Sequence, residues 1–176
     1  MKFSALLFLF ALAGCSAGRI VKTDKAEGVN LQSYKTFDFL KFEASGDTAA
    51  QRFESYAGIL RNAVARELAA KGYTQSSANP DLLVNIGAVV KEETQTRETN
   101  IREAPRYIGQ RNYSWKSEEV PVGQYKSGTV TIELVDSKKN SMVWQGVVEG
   151  IISDKRKTYE NDVNKAMTDL FAKFPG

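Results

Sequence analysis

The stretch Gly128-Thr129-Val130-Thr131-Ile132-Glu133-Leu134-Val135 decides the fold. On an extended chain Val130, Ile132 and Leu134 fall on one side, and Thr129, Thr131 and Glu133 on the other. A period of two predicts a strand with one face in a core and one toward water. The polar run Asp136 to Asn140 reads as a turn, and Met142 to Ile152 as the returning strand of a hairpin. Trp144 on that strand reads as core packing against helices rather than as a ligand platform.

Outward from the hairpin, the pattern changes period. Asp81 to Val90 is a largely apolar, Val/Ile-containing run behind Asn79-Pro80, which predicts a central strand. Phe53, Ala57, Leu60, Val64 and Leu68 recur at spacings of three and four, so one apolar stripe runs along a helix from about 50 to 71. Gly72 stands where a left-handed C′ residue is wanted, and Lys71 suits the negative helix end. Tyr34 to Leu40 alternates aromatic and polar residues, another half-buried strand. Residues 43–50, with Gly46, Asp47 and Thr48, read as a turn into the helix. At the other end Thr158 is placed to cap a final helix. Tyr159, Val163, Ala166, Met167, Leu170, Phe171 and Phe174 form its apolar face, and Pro175 stops it. The fold class is therefore α+β, a mainly antiparallel sheet with two amphipathic helices packed on one face.

Composition narrows function by exclusion. The chain has 176 residues, 42% hydrophobic, with one Cys and no His. One domain fits this length. A single Cys excludes an intramolecular disulfide and multi-cysteine metal sites, and the absence of His removes His-based triads, His-ligated zinc and proximal-His haem. No phosphate-binding glycine loop, nucleophile elbow or calcium-loop spacing is present. No metal site and no cofactor are expected.

The N-terminus gives an address. Lys2 precedes the apolar run Phe3 to Ala13, too short for a bilayer span but of signal-peptide length. The run ends Leu12-Ala13-Gly14-Cys15, which resembles the lipobox of bacterial lipoprotein signal peptides. The resemblance implies cleavage before Cys15 and acylation of its thiol, hence a membrane partner reached through acyl chains. Residues 1–14 are then a signal peptide, 15–30 a small, polar tether, and 31–176 a single domain. Ser16 after the Cys points to the outer membrane, with the domain in the periplasm. After processing, 23 basic residues face 21 acidic ones. That balance gives no reason to expect nucleic acid.

Across the domain the chain resembles the bacterial lipoproteins of domain-of-unknown-function family 4136. The stretches that carry this are Tyr34-Lys35-Thr36-Phe37-Asp38-Phe39, Leu68 through Gly72-Tyr73, and Asn79-Pro80-Asp81-Leu82-Leu83-Val84-Asn85. Gly128 to Asp136, Val143-Trp144-Gln145-Gly146, Leu170-Phe171 and Phe174-Pro175 complete the order. The resemblance implies a lipid-anchored α+β envelope domain and supplies no catalytic residue.

Residues 91–127 stand apart. Glu92-Glu93 and Glu118-Glu119 are acidic pairs, but neighbours on a strand point to opposite faces, so neither is a two-carboxylate hydrolase site by itself. Arg106, Tyr107, Arg111, Tyr113, Trp115 and Tyr125 belong to the residue types enriched in binding hot spots. They form the candidate contact with an envelope protein or a glycan. The bland reading packs the aromatics on their own sheet. A mobile excursion around 100–122, between strand extensions, is expected. Lys155-Arg156-Lys157 reads as a solvated basic loop or as a contact to anionic headgroups. The expectation is a lipid-anchored envelope protein that is not an enzyme and acts as an interaction module. A small-ligand or glycan binder, and a His-independent hydrolase, are the alternatives.

Overall fold

The structure is a computed structural model that describes residues 18–40, 43–46, 50–99, 116–153 and 155–175. In chain order it contains β1 (Arg19–Lys25), a 3-10 turn (Leu31–Ser33), β2 (Thr36–Phe39), β3 (Glu43–Gly46), α1 (Ala50–Ala70) and β4 (Thr74–Gln75). β5 (Leu82–Glu98), β6 (Glu119–Asp136), β7 (Ser141–Ile152) and α2 (Arg156–Phe171) follow.

The seven strands form one sheet in the order β1-β7-β6-β5-β2-β4, with β3 also beside β5. β1, β7, β6 and β5 pair antiparallel. β2 and β3 join β5 in parallel, and β4 joins β2 in parallel. The physical reason is the α1 crossover, which returns the chain to the sheet in its original direction.

The two-residue pattern of the opening stretch is realised in full. Ile132 and Leu134 are completely buried and sit opposite Ile86 and Val84 of β5. Thr131 and Glu133 face the other way and are half-buried. Both helices lie on the Ile132 side. α1 contributes Ala57, Leu60, Val64 and Leu68 to the core; the Phe53 side chain lies outside the described residues. α2 contributes Val163, Ala166, Met167, Leu170 and Phe171. Each such aliphatic or aromatic side chain contributes about 1.5–3 kcal/mol when fully buried. Trp144 is a core residue, with ring centroids 5.4 Å from Phe171 and 5.1 Å from Phe174. Gly72 adopts φ +90° after α1, a conformation cheap only for glycine.

Five local readings change. Residues 15–30 were expected to be a tether, yet Arg19–Lys25 is an edge strand bonded along β7. Its side chains are almost all exposed, so no apolar alternation marks it, and backbone pairing to β7 makes the strand. Residues 43–46, expected in a turn, are β3. Of the excursion expected around 100–122, residues 100–115 lie outside the described residues, and Glu119 to Val122 belong to β6. Thr158 does not cap α2, which starts at Arg156 behind Lys155 and has no side-chain cap. The helix also ends at Phe171, and a turn returns Phe174 to the core through its amide bond to the Phe171 carbonyl.

Candidate functional site

Many of the residues that carry the family resemblance turn out to tie the fold together. One Asp81 oxygen accepts from the Lys35 amide at 2.9 Å, the Thr36 amide at 3.1 Å and the Thr36 hydroxyl at 3.1 Å. Those backbone amides hold its carboxyl below the usual range. Asp136 is buried and accepts from the Lys138 and Lys139 amides and from the Tyr34 hydroxyl, each at 2.9 Å. Its carboxyl is also lowered, first by the Lys139 amide. These bonds lock the start of β2 to β5 and to the β6–β7 turn. Bonds to the protein's own backbone and hydroxyls hold both carboxylates, so the cluster serves structure.

The sheet face away from the helices carries a polar ladder. Glu133 accepts from Asn85 at 3.1 Å and Gln145 at 3.0 Å, and Gln145 in turn accepts from Lys22 at 3.3 Å. Together they make a cross-strand ladder spanning β5, β6, β7 and β1. On the helix face, a mainly apolar cavity of about 90 Å³ lies between the first half of α2 and the sheet, with Gly18, Val130, Val148, Tyr159 and Met167 in its lining. Burial pushes the Tyr159 phenol up to about 12.

The feature that departs from a compact domain is an arm. β3 stops at Gly46 opposite Val90, and β7 stops at Ile152 opposite Lys126. β5 and β6 nevertheless stay paired to Glu98 opposite Glu119. From Glu93 to Glu98 the chain runs on for about 20 Å at the usual strand rise as a two-stranded ribbon with exposed side chains on β5. A bulge sits between Gln95 and Thr96, where Pro121 faces Thr96.

The two carboxylates of the Glu92-Glu93 pair do point apart. Glu92 forms an ion pair with Lys126 at 3.6 Å on one face. On the other, Glu93 accepts from the Tyr125 hydroxyl at 2.8 Å and the Ser127 hydroxyl at 2.7 Å. Ser127, then Tyr125, lower the Glu93 carboxyl, and the carboxylate raises the Tyr125 phenol. Tyr125 is thus placed on the arm. Arg106, Tyr107, Arg111, Tyr113 and Trp115 lie outside the described residues, as do Leu12, Ala13, Gly14 and Cys15. The Glu93 partnership was missed from sequence. Its only signal is three polar residues on one face of two strands whose register was not known.

Such a sheet, with two helices on one face and an extended hairpin, defines a two-layer α+β domain. The sequence profile of the domain of unknown function DUF4136 matches residues 21–176, and the chain belongs to that family. No curated protein matches the chain. Among solved structures it is similar to a PDZ domain protein from Parabacteroides distasonis, at 18% identity and TM-score 0.51. That match covers 88% of this chain, which spans only 35% of the other. A DUF4136 family protein from Bacteroides thetaiotaomicron matches at 14% identity and TM-score 0.50, over 88% of this chain and 96% of the other. A structure described as a neuraminyllactose-binding hemagglutinin homolog from Helicobacter pylori matches at 17% and 0.50, over 82% and 84%. At these identities the likeness is one of fold.

Proposed function

We propose that the protein is a lipid-anchored component of a bacterial cell envelope whose periplasmic domain binds another envelope component and catalyses no reaction. Acyl chains on Cys15 hold it to the membrane, and the outer membrane is the assignment that Ser16 favours. The observation that carries the binding role is the β5–β6 arm. A ribbon whose side chains stand in water adds little to its own core, so its length is explained by something it touches. The arm leads into the segment holding Arg106, Tyr107, Arg111, Tyr113 and Trp115, so the anchor types of a binding hot spot are carried at its end.

No helix among the described residues is long and apolar enough to cross a membrane. The test has two parts. Cys15→Ser should abolish labelling by a palmitate analogue and release the protein from membranes. Replacing residues 95–123 by an Asn-Gly turn, which joins the cross-strand partners Thr94 and Gln124, should remove the crosslinked envelope partners while the domain keeps its melting temperature. An unchanged crosslinking profile would overturn the role of the arm. Stabilisation by a wall or surface saccharide, lost with the arm, would favour the glycan reading instead.

A further inference from the structure

The basic triplet Lys155-Arg156-Lys157 acquires a setting in the fold. It stands at the pole where β7 finishes at Ile152 and α2 begins at Arg156. β1 runs antiparallel to β7, with Arg19 opposite Glu149, so the chain upstream of β1 arrives from this same pole. Gly18 and Ile151 both line the cavity there. Only Cys15, Ser16 and Ala17 precede Gly18 in a processed chain, and three such steps reach at most about 10 Å. The strand at 19–25 has replaced most of the tether expected over 15–30. On the lipid-anchor reading, the pole is held within about one Debye length of the headgroups.

What the pole presents is chemically suited to that place. Lys155, Arg156 and Lys157 are exposed, and none is ion-paired among the described residues. Of the acidic residues that follow on α2, Glu160 is the helix-face neighbour of Arg156 and Lys157 at i+4 and i+3 but forms no ion pair with either, and Asp162 lies farther along. Arg19 and Glu149 neutralise each other at 2.6 Å, and Asp154 lies outside the described residues. At the same end of β7, on the sheet face away from α2, Ile151 is 67% exposed, the most exposed large apolar side chain described. An exposed isoleucine at a cationic pole is poorly matched to water and well matched to the headgroup boundary of an anionic bilayer.

We propose that this pole, through Lys155, Arg156, Lys157 and Ile151, docks the domain on an anionic lipid surface. The proposal rests on Cys15 being acylated.

The test uses the full-length acylated protein with Ile151→Cys, its single free thiol once Cys15 carries lipid. It is labelled with an environment-sensitive dye and reconstituted in vesicles of phosphatidylcholine, alone or mixed with phosphatidylglycerol, each containing brominated lipid as quencher. Quenching should be strong in the anionic vesicles and weak in the neutral ones. Combined Lys155→Glu, Arg156→Glu and Lys157→Glu should bring it down to the neutral level. At roughly fivefold per basic residue near a charged surface, the docked-to-undocked ratio should fall by roughly a hundredfold. Acidic residues suit a helix N-terminus, so this variant keeps α2 folded. Equal quenching in both lipids, or quenching untouched by the charge reversal, overturns docking and leaves the anchor standing. Protein that floats with neither vesicle overturns the anchor, and docking with it.

Discussion

The indole ring of Trp144 lies across the position where Gly146 would carry a side chain. A Cβ built there would stand 2.5 Å from the far edge of the ring and 3.0 Å from a methyl of Leu170. The two residues are two apart on β7 and share its core face. Glycine at 146 is therefore a packing requirement: only a bare backbone lets the largest core side chain fold back under α2.

Gly146→Ala should destabilise the domain by about 1–3 kcal/mol, because a methyl group there overpacks a filled core. Thermal melting should drop by several degrees. In a Trp144→Phe background the same change should cost much less, since the ring edge it strikes is gone. A double-mutant cycle reads that coupling. Equal costs in the two backgrounds would show that the ring is not the obstacle.

Acid sensitivity follows from the two aspartates that tie β2 to the sheet. Backbone amides lower the Asp81 carboxyl, and the Lys139 amide with the Tyr34 hydroxyl lower that of Asp136. With folded values below the ordinary 3.8, the unfolded chain binds protons first as pH falls. The stability they contribute is fully present above the unfolded value near pH 4. It is lost as pH falls through the depressed folded values. Melting temperature should fall below about pH 4. Asp81→Asn with Asp136→Asn should lower it at neutral pH and flatten the acid slope. An acid slope as steep as that of the unsubstituted protein would assign the sensitivity to other groups.

What was legible in the sequence is what burial writes into it. Val130, Ile132 and Leu134, and the α1 stripe from Ala57 to Leu68, show their period because one face is buried. β1 has no such face: Arg19 to Lys25 is held by backbone pairing to β7, which composition does not record. The arm was legible only as a stretch that fitted nothing, because neither of its faces is buried and its register is set through β5 and β6. Asp81 and Asp136 could be seen as residues of the family pattern. Their partners could not, since Asp81 bonds residues 45 and 46 positions away and Asp136 bonds Tyr34 across 102.

The arm carries its own fastening, separate from the core. Glu93 bonds Tyr125 directly across the ribbon and Ser127 on the diagonal, joining β5 to β6 just beyond the point where β7 ends. Glu93→Ala removes both bonds while leaving every core contact in place. The melting temperature should stay within a degree or so, because exposed surface changes away from special features shift stability little. Amide exchange should instead accelerate several-fold in residues 91–98 and 119–125, where local opening is the route to solvent. Exchange in Leu82 to Ile86 and Ile132 to Leu134 should be unchanged. Tyr125→Phe keeps the serine bond and should give a smaller effect in the same residues. If Glu93→Ala loosens the core strands equally, the arm opens with the whole domain. If it loosens nothing, strand pairing alone holds the arm and the carboxylate is incidental to it.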